Sequence, residues 1–346
     1  MSSGQLDSTF DLVILGAGPA GLAAACEAQD RGLSHLIIDR RGLVHSFVEY
    51  PQTLRFFSPP HEMAIGGVPF PMRGGDKPTR EDALAYYRGV AVARRLNLAT
   101  WERVMQVAPL DGGYRIRTRR EPTGTPGRTV ATRCVALATG VWDRPRLLDC
   151  PGTSLPHVLS RFIEPTEYLG HPVLVVGGGN SAVTAALSLA EAHARVTLAM
   201  RRPAVPYQSH LRPFVVRDLE LAVADGKIDL RVDVAVREVR PERAWLCPIE
   251  YDPAACRWTG EPYEVPARFI FALLGQTADT AFLETMQLER GPDGRPLAHP
   301  DTYETTRPGI YVAGSLAAQE VDVVVKGREQ ARAVVARIAE RLRGCA

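Results

Sequence analysis

Residues 12–21 read LVILGAGPAG, and this stretch decides the fold. Its four leading apolar residues predict a buried strand, and G-x-G-x-x-G follows directly, before an alanine-rich stretch that predicts a helix. Gly16 allows a tight turn, Gly18 lets the backbone approach a pyrophosphate, and Gly21 lets helix and strand pack closely. The phosphates would lie at the helix N-terminus, where free N–H groups and the helix dipole favour negative charge.

A second predicted strand, residues 35–38, ends at Asp39, about 20 residues further on, where this fold places an acidic residue for ribose hydroxyls. A glycine motif alone is also compatible with a chance glycine turn. Because strand, helix and acid all occur in order, the sequence predicts a dinucleotide site. Asp39 would repel a 2′-phosphate, which makes this first site a poor one for NADP.

A second motif of the same kind lies at residues 172–182, PVLVVGGGNSA. A predicted strand leads into G-x-G-x-x-A, formed by Gly177, Gly179 and Ala182, and an alanine-rich helix is predicted to about residue 192. The next strand, residues 196–200, is followed by Arg201 and Arg202 rather than by an acid. Guanidinium groups bind a phosphate as a planar fork, so this site is predicted to prefer NADPH to NADH. The alternative is a solvated pair of loop arginines.

Composition limits the remaining classes of function. The chain has 346 residues, 45% hydrophobic and 23% charged, with a net charge of +2, which predicts neither nucleic-acid binding nor an acidic partner. MSSGQLDSTF does not resemble a signal peptide, and no apolar run approaches the roughly 20 residues of a membrane helix. These features predict a cytoplasmic protein with no membrane association.

The cysteines do not form a dithiol or metal pattern. Six are present, none in C-x-x-C, and the closest pair is Cys247 and Cys256. We therefore expect reduced thiols and no metal site. Two histidines in or beside an aromatic loop, His45 and His61, are possible proton donors, although loop histidines are more often surface residues. No catalytic residue is assigned, because the chemistry would belong to a bound flavin.

Between the two motifs lies a long segment without helix or strand periodicity, residues 40–77. It is too apolar for disorder, and it is either a packed surface excursion or a segment that covers a cofactor. Thr79 and Asp82 then form a capping-box pattern at the start of a helix predicted to about residue 96. A short strand containing Val104 is predicted within residues 97–108.

The remaining elements are predicted from apolar runs and turn residues. Residues 114–118 and 129–138 predict a small antiparallel hairpin, and residues 245–265 a peripheral one. Further buried strands are predicted at residues 133–140, 268–275 and 309–314. A terminal helix is predicted from residue 326 to about residue 342.

The order of these motifs resembles that of the low-molecular-weight thioredoxin-reductase-like flavoproteins. GAGPAG, Asp39, ATG at 138–140, GGGNSA, the arginine pair and GIYVAG at 309–314 carry the resemblance over nearly the whole chain. It implies an α/β fold with two Rossmann-like dinucleotide-binding domains. An FAD-binding domain, residues 1–145 and 276–346, would be split by an inserted NADPH-binding domain, residues 146–275.

Within that group, YPQTLRFFSPPHEMAIGGVPF, KPTREDALAYYR and WERVMQV resemble the YpdA-type bacillithiol disulfide reductases, which are NADPH-dependent FAD enzymes. The motifs and the resemblance together imply two sets of cofactor-binding residues. For FAD they are Gly16, Gly18, Pro19, Ala20, Gly21, Asp39, Arg40, Ser46, Phe57, Val104, Ala138, Thr139, Gly140, Gly314 and Ser315. For NADPH they are Gly177, Gly179, Asn180, Ser181, Ala182, Arg201, Arg202 and Gly275.

Three departures from these families bear on the reaction. Thioredoxin reductases carry a C-x-x-C in the NADPH domain and this chain does not, which argues against reduction of thioredoxin through a protein dithiol. YpdA-type proteins usually carry a cysteine in the first glycine motif, where this chain has Ala20. Cys26, further along the same helix, is expected to be a small buried residue rather than a substitute. Ser315 stands where most of the wider group have an aspartate.

The sequence leaves several functions open. The first is an NADPH-dependent FAD reductase of a low-molecular-weight disulfide such as that of bacillithiol, with hydride passing from NADPH to the flavin. The second is a thiol-independent NADPH:acceptor oxidoreductase, such as a thioredoxin-reductase-like ferredoxin or flavodoxin NADP reductase. A flavin-binding redox sensor and a flavin monooxygenase are further alternatives. The partner would be a small disulfide or a small redox protein, and by resemblance the chain would form a homodimer or larger homo-oligomer.

Overall fold

The structure is a computed structural model that describes residues 8–72, 77–201, 211–252, 257–317 and 323–344. The chain forms two compact units. Unit 1 contains Met1–Arg144 and Thr277–Ala346, and unit 2 contains Pro145–Gln276. The boundaries predicted from the sequence lie one residue from these.

Strands and helices alternate through the first part of each unit, as expected for an α/β fold. The described strands are β1 (Ser8–Leu15), β2 (His35–Ile38), β3 (Leu98–Ala99), β4 (Glu102–Leu110), β5 (Gly113–Arg120), β6 (Pro126–Leu137), β7 (Val158–Leu159), β8 (Pro172–Val176), β9 (Arg195–Ala199), β10 (Ile228–Arg231), β11 (Val234–Arg240), β12 (Arg243–Glu250), β13 (Arg257–Trp258), β14 (Tyr263–Pro266), β15 (Phe269–Ala272) and β16 (Ile310–Val312). The described α-helices are α1 (Pro19–Asp30), α2 (His45–Val48), α3 (Pro60–Met63), α4 (Arg80–Ala93), α5 (Asn180–Glu191), α6 (Pro213–Ala224), α7 (Thr280–Thr285) and α8 (Val323–Gly344).

Unit 1 is built on a seven-stranded sheet in the order β3-β2-β1-β6-β5-β4, with β16 also paired to β6. Strands β3, β2, β1, β6 and β16 run parallel to one another. Strand β5 pairs with both β4 and β6 in antiparallel fashion. Leu12 and Ile14 face one core cluster, and Val13 and Leu15 face another. Both faces of β1 are therefore buried, as is usual for a parallel sheet.

The predicted antiparallel hairpin is confirmed, because β5 pairs with β6, but the strand predicted separately at 133–140 is wrong, because residues 133–137 belong to the same strand β6. A single 12-residue strand, β6, pairs with β5 through residues 126–132 and with β16 through residues 135–137. Its other edge pairs with β1. The apolar run does not break between these two roles, so one strand joins the antiparallel meander to the parallel sheet.

Unit 2 contains a five-stranded parallel sheet in the order β10-β9-β8-β15-β7. The peripheral hairpin predicted at 245–265 is part of a four-stranded antiparallel sheet in which β11 and β14 both pair with β12. The hydrophobic core between them includes Leu174, Val236, Leu246 and Ile270.

The capping box at the start of α4 is confirmed, because Thr79 Oγ1 accepts from the Asp82 amide and the Asp82 carboxylate accepts from the Thr79 amide. The helix ends at Ala93 rather than near residue 96. Arg95 adopts a φ of +49°, and the Leu96 amide bonds back to the Ala91 carbonyl at 3.1 Å, which reverses the chain. Helix α8 begins at Val323, three residues before its predicted start.

The segment predicted as irregular, residues 40–77, contains the short helices α2 and α3 and is packed in its described part. Tyrosine hydroxyls from α4 hold it. Tyr86 donates to the Val68 carbonyl at 2.7 Å, and Tyr87 donates to the Met63 carbonyl at 3.0 Å. The Tyr50 and Trp142 rings meet edge to face, with centroids 4.5 Å apart. The interpretation of this segment as a packed excursion therefore accounts for the described contacts, while its predicted role as a cofactor cover stays a prediction.

Candidate nucleotide-binding sites

The two glycine turns are built in the same way. The Gly16 amide donates to the Ile38 carbonyl at the end of β2 (2.8 Å), and the Gly177 amide donates to the Ala199 carbonyl at the end of β9 (3.0 Å). Both glycines have a positive φ, +111° and +146°. A Cβ on the first would lie 2.3 Å from the Ala138 carbonyl oxygen, and one on the second 2.4 Å from that of Leu273. Only glycine fits at either position.

The middle glycines of the motifs face open space. Gly18 and Gly179 precede the 12-residue helices α1 and α5, and neither helix has a side-chain cap at its N-terminus. A Cβ added at either glycine would have no atom within 4 Å. The first-turn N–H groups of each helix are therefore accessible to an anion, in a space that a side chain would narrow.

The last position of each motif sets the distance between helix and turn. A Cβ on Gly21 would lie 1.9 Å from the Gly16 carbonyl oxygen, so alanine does not fit there. In unit 2, Ala182 occupies this position, and its Cβ lies 3.0 Å from where a Cβ on Gly177 would be. The difference between G-x-x-G and G-x-x-A thus follows from backbone packing.

Asp39 holds the first glycine turn in place. Its Oδ2 accepts from the Ala17 amide at 2.7 Å, and its Oδ1 accepts from the Arg41 amide at 2.8 Å. Burial raises the pKa of this carboxyl, while the two backbone hydrogen bonds act in the opposite direction. The carboxylate lines a cavity and keeps lone pairs available there.

The cavity brings together part of the predicted FAD set. Its lining includes six predicted residues: Gly16, Asp39, Arg40, Val104, Thr139 and Gly140. It also includes residues outside the predicted FAD set, among them Glu102, Arg103, Asp143, Arg144, Asp279 and Phe282. Glu102 and Arg103 lie on β4, Phe282 lies on α7, and the others lie on loops without glycine fingerprints. WERVMQV contains Glu102 and Arg103, and Asp143 comes three residues after the predicted ATG, so the sequence offered some signal at these positions.

The arginines that follow Asp39 are already paired. Arg40 forms an ion pair with Asp143. Arg41 Nη1 lies 3.3 Å from Glu49 Oε1 and 2.6 Å from the His45 Nε2 atom. His45 is therefore part of an ionic cluster next to Asp39. His61 is exposed, and its carbonyl accepts from Arg328 at 3.4 Å.

Other predicted FAD residues meet at the start of α8. A Cβ on Gly314 would lie 2.9 Å from Ala20 Cβ, and one on Gly327 would lie 3.2 Å from it. Ser315 Oγ lies 3.2 Å from where a Cβ on Gly140 would be, so Ala20 and Gly314 pack closely together, and Ser315 packs against Gly140. Pro19 is the first residue of α1. Ser46 lies on α2, and Phe57 lies near Lys77, whose Nζ is 5.9 Å from the ring centroid; neither lines the cavity.

Unit 2 has an apolar residue at the position of Asp39. The register pairs Val176 with Ala199 as it pairs Leu15 with Ile38, so Met200 is the counterpart of Asp39 and Arg201 the counterpart of Arg40. Met200 is fully buried beside Gly178, and Arg201 is exposed. Within the described part of the chain, Arg201 has no carboxylate within 4.0 Å. Arg202 lies outside the described residues.

The other predicted NADPH residues are located around the second glycine turn. Asn180 is the first residue of α5, and its Oδ1 accepts from the Arg212 amide at 3.0 Å. Ser181 is exposed in the same turn. Gly275 follows β15 with a φ of +87°, in the place that Gly140 has after β6.

The described thiols are buried or half-buried and form no disulfide. Burial raises the pKa of Cys26 and of Cys134 to about 11 in each case. The Cys247 thiol donates to the Gly260 carbonyl at 3.1 Å. Cys26 thus has the environment of a packed residue, as expected. Across the described ranges, no cluster of three or more His, Cys, Asp or Glu side chains could hold a metal, and no helix could cross a bilayer.

Comparison with known proteins agrees with this architecture. The chain is 31% identical over 308 residues to the Bacilliredoxin reductase Bdr of Bacillus subtilis, covering 88% of this chain and 89% of that protein. The structure of the Bacillithiol Disulfide Reductase Bdr (YpdA) from Bacillus cereus matches with a TM-score of 0.88 at 30% identity, over 96% of this chain and 99% of that one. A Ferredoxin--NADP reductase of Gluconacetobacter diazotrophicus is 27% identical over 317 residues, 90% of this chain and 84% of that protein.

A family profile also covers most of the chain. Residues 13–314 match the model described as pyridine nucleotide-disulphide oxidoreductase, a span that includes both glycine turns, Asp39 and Arg201. The similarity to Bdr extends over a comparable length, 308 residues. The chain therefore belongs to the pyridine nucleotide-disulphide oxidoreductase family.

Proposed function

We propose that this chain is an NADPH-dependent FAD oxidoreductase that reduces a low-molecular-weight disulfide. The observation that carries the proposal is the pair of equivalent glycine turns with opposite residues at one position, Asp39 in unit 1 and Met200 in unit 2. Membership of the family and the similarity to Bdr support the same reaction.

In unit 1 we assign the FAD site. Gly18 and the first-turn N–H groups of α1 bind the pyrophosphate, and Asp39 accepts a hydrogen bond from the ribose. The open space at Gly18 and the uncapped helix fit this ligand. Ala20 and Gly314 pack closely beside the start of α1, and a side chain at Gly314 would press against Ala20.

In unit 2 we assign the NADPH site. Gly179 and the N-terminus of α5 bind the pyrophosphate, and Arg201 binds the 2′-phosphate. Met200 removes the carboxylate that would repel this phosphate. Arg40 is the counterpart of Arg201 in unit 1, but Asp143 neutralises its charge. The two sites therefore differ in the pairing of this arginine as well as in the exchange of Asp39 for Met200.

The chain's residues would bind and orient both cofactors, while FAD supplies the two-electron chemistry that links a nicotinamide to a disulfide. None of the described thiols lines the cavity of unit 1. Ala20 also leaves the first glycine motif without a thiol. We therefore propose that the disulfide is reduced without a mixed disulfide to any of the described cysteines.

A two-step anaerobic experiment with purified holoprotein tests the proposal. NADPH is added first, and the flavin absorbance at about 450 nm is expected to bleach. Bacillithiol disulfide is added second, and recovery of the absorbance is expected. Absence of bleaching would contradict the NADPH assignment, and bleaching without recovery would contradict the disulfide as acceptor.

A second candidate function is electron transfer from NADPH to ferredoxin or flavodoxin. The matching Ferredoxin--NADP reductase covers 90% of the chain, and the absence of C-x-x-C from the sequence is compatible with this reaction. Bleaching followed by recovery with flavodoxin, and none with the disulfide, would favour it. The resemblance further supports a cytoplasmic homo-oligomer. Size-exclusion chromatography with light scattering would measure the number of subunits.

A further inference from the structure

The antiparallel part of the unit 1 sheet has one strongly basic face. Arg115, Arg117 and Arg119 alternate along β5 with the buried residues Tyr114, Ile116 and Thr118. Because successive side chains of a strand point to opposite sides, the three arginines share the outer face. We call this surface, made by Arg115, Arg117, Arg119 and their outer-face neighbours on β4 and β6, the arginine face.

The residues opposite on the neighbouring strands do not neutralise the positive charge of the arginine face. Opposite the three arginines, β4 contributes Ala108, Gln106 and Arg103, and β6 contributes Ala131, Thr129 and Pro126. Glu121 Oε1 forms ion pairs with both Arg119 (2.9 Å) and Arg103 (2.8 Å). In the described residues, no carboxylate lies within 4.0 Å of Arg115 or Arg117.

These two guanidinium groups contribute little to the fold. They stand two residues apart on one strand, about 7 Å at the Cα atoms, so their charges repel each other. Both residues are exposed, and neither donates a side-chain hydrogen bond within the described part of the chain. A partner with closely spaced carboxylates would remove the repulsion and gain charge-assisted hydrogen bonds.

Apolar side chains lie beside the charges. Met105, 44% exposed, sits where the register of β4 shifts between Val104 and Gln106. A groove is lined by Met105, Gln106, Arg117 and Arg119 together with Gly124, Pro126 and Thr285. Trp101, 50% exposed, precedes the same strand, and its carbonyl accepts from the Glu121 amide. Arginine, methionine and tryptophan are the residues enriched at protein interfaces.

We propose that the arginine face is a docking site for an acidic segment of a partner protein. Carboxylates of the segment bind Arg115 and Arg117, and an apolar side chain of the segment enters the groove at Met105. A small inorganic anion would leave Met105 and Trp101 exposed. A nucleic acid would require a wider basic surface than this chain, with a net charge of +2, provides. The inference goes beyond the proposed function, because reduction of a small disulfide by itself requires no partner protein at this face.

The test uses flavodoxin, an acidic redox protein, as the probe and the holoprotein in three forms. The test variant is Arg115→Glu/Arg117→Glu. The control is Arg88→Glu/Arg332→Glu, which makes the same charge change at exposed helix positions outside the arginine face. Dissociation constants are measured by calorimetry at low and at physiological ionic strength, and NADPH turnover with menadione, a neutral acceptor, is measured in parallel.

We expect the test variant to weaken flavodoxin binding at least tenfold and the control variant to weaken it less than threefold, with added salt weakening the wild type. Equal binding by the wild type and the test variant, an equal loss in the control, or no binding by the wild type would each overturn the proposal. Menadione turnover separates this outcome from the proposed function: if the wild type does not turn over, the oxidoreductase assignment fails, whatever the binding result.

Discussion

Replacement of Arg201 by serine should convert the NADPH preference of unit 2 into near-indifference between NADPH and NADH. Arg201 follows β9 at the edge where the glycine turn begins, and it is exposed. Among the described residues it has no carboxylate partner, so its charge is available to a ligand. Serine removes the charge and keeps a small polar side chain.

The size of the effect follows from the exposure of the site. Two unit charges at 4 Å interact by about 1 kcal/mol in bulk water and by about 4 kcal/mol near a protein surface. Because Arg201 is exposed, we take about 2 kcal/mol, which corresponds to a loss of about 30-fold in kcat/KM for NADPH. NADH has no 2′-phosphate, so its kcat/KM should change less than threefold.

The assay is steady-state oxidation of each nicotinamide with menadione as acceptor. Arg231→Ser is the matched control, because Arg231 is half-exposed in the same unit but is already paired with Asp229 at 2.9 Å. The control should retain the NADPH preference of the wild type.

Two results would refute the reasoning. One is an Arg201→Ser variant whose kcat/KM for NADPH stays within threefold of the wild type. The other is a parallel loss for NADPH and NADH, which would indicate damage to the unit rather than loss of a phosphate contact.

Three further predictions address the first glycine motif and the thiols. Gly16→Ala should lower the free energy of unfolding by about 3 kcal/mol or more, because the alanine Cβ would lie 2.3 Å from the Ala138 carbonyl oxygen at a φ of +111°. Gly18→Ala should leave the melting temperature of the apoprotein unchanged and weaken FAD binding about tenfold. Equal melting temperatures for the two variants would contradict the different roles of the two glycines. The free energy of unfolding should fall as pH rises from 9 to 11, because the thiols of Cys26 and Cys134 have a pKa of about 11 in the folded protein and of about 9.0 in the unfolded chain. Urea midpoints that do not fall across this pH range would contradict the prediction. Ala20→Cys should raise disulfide turnover without changing menadione turnover, and an unchanged disulfide rate would show that the disulfide is not reduced at position 20.

Much of the parallel architecture was predictable because its signals are local. A buried strand that runs into a glycine turn needs only a few adjacent residues, and α1 follows the turn as predicted, while β2 has the predicted bounds. The capping box of Thr79 and Asp82 is equally local. The end of α4 was not predictable in this way, because it depends on a left-handed conformation at Arg95, which the sequence does not mark with a glycine.

The continuity of β6 was missed for a different reason. Residues 126–137 change partners along their length, and no local pattern separates a strand that leaves a meander from one that enters a parallel sheet. The charged lining of the unit 1 cavity was missed for the same reason, since Glu102, Arg103 and Asp279 come together only after the chain has folded. Sequence patterns identified the turns, and tertiary contacts supplied the side chains around them.

Comparison of the two units adds a second physical argument to the proposed cofactor assignment. An arginine pair after the strand was the predicted mark of an NADPH site, but the register makes Arg40 the counterpart of Arg201, and Arg41 follows Arg40 in the sequence. What differs is the preceding residue and the ion pairing. Asp39 is a buried carboxylate bonded to the Ala17 and Arg41 amides, whereas Met200 has no charge. We therefore propose that the two equivalent turns favour different nucleotides. Met200 replaces the carboxylate of Asp39, and Asp143 and Glu49 pair with the two arginines of unit 1.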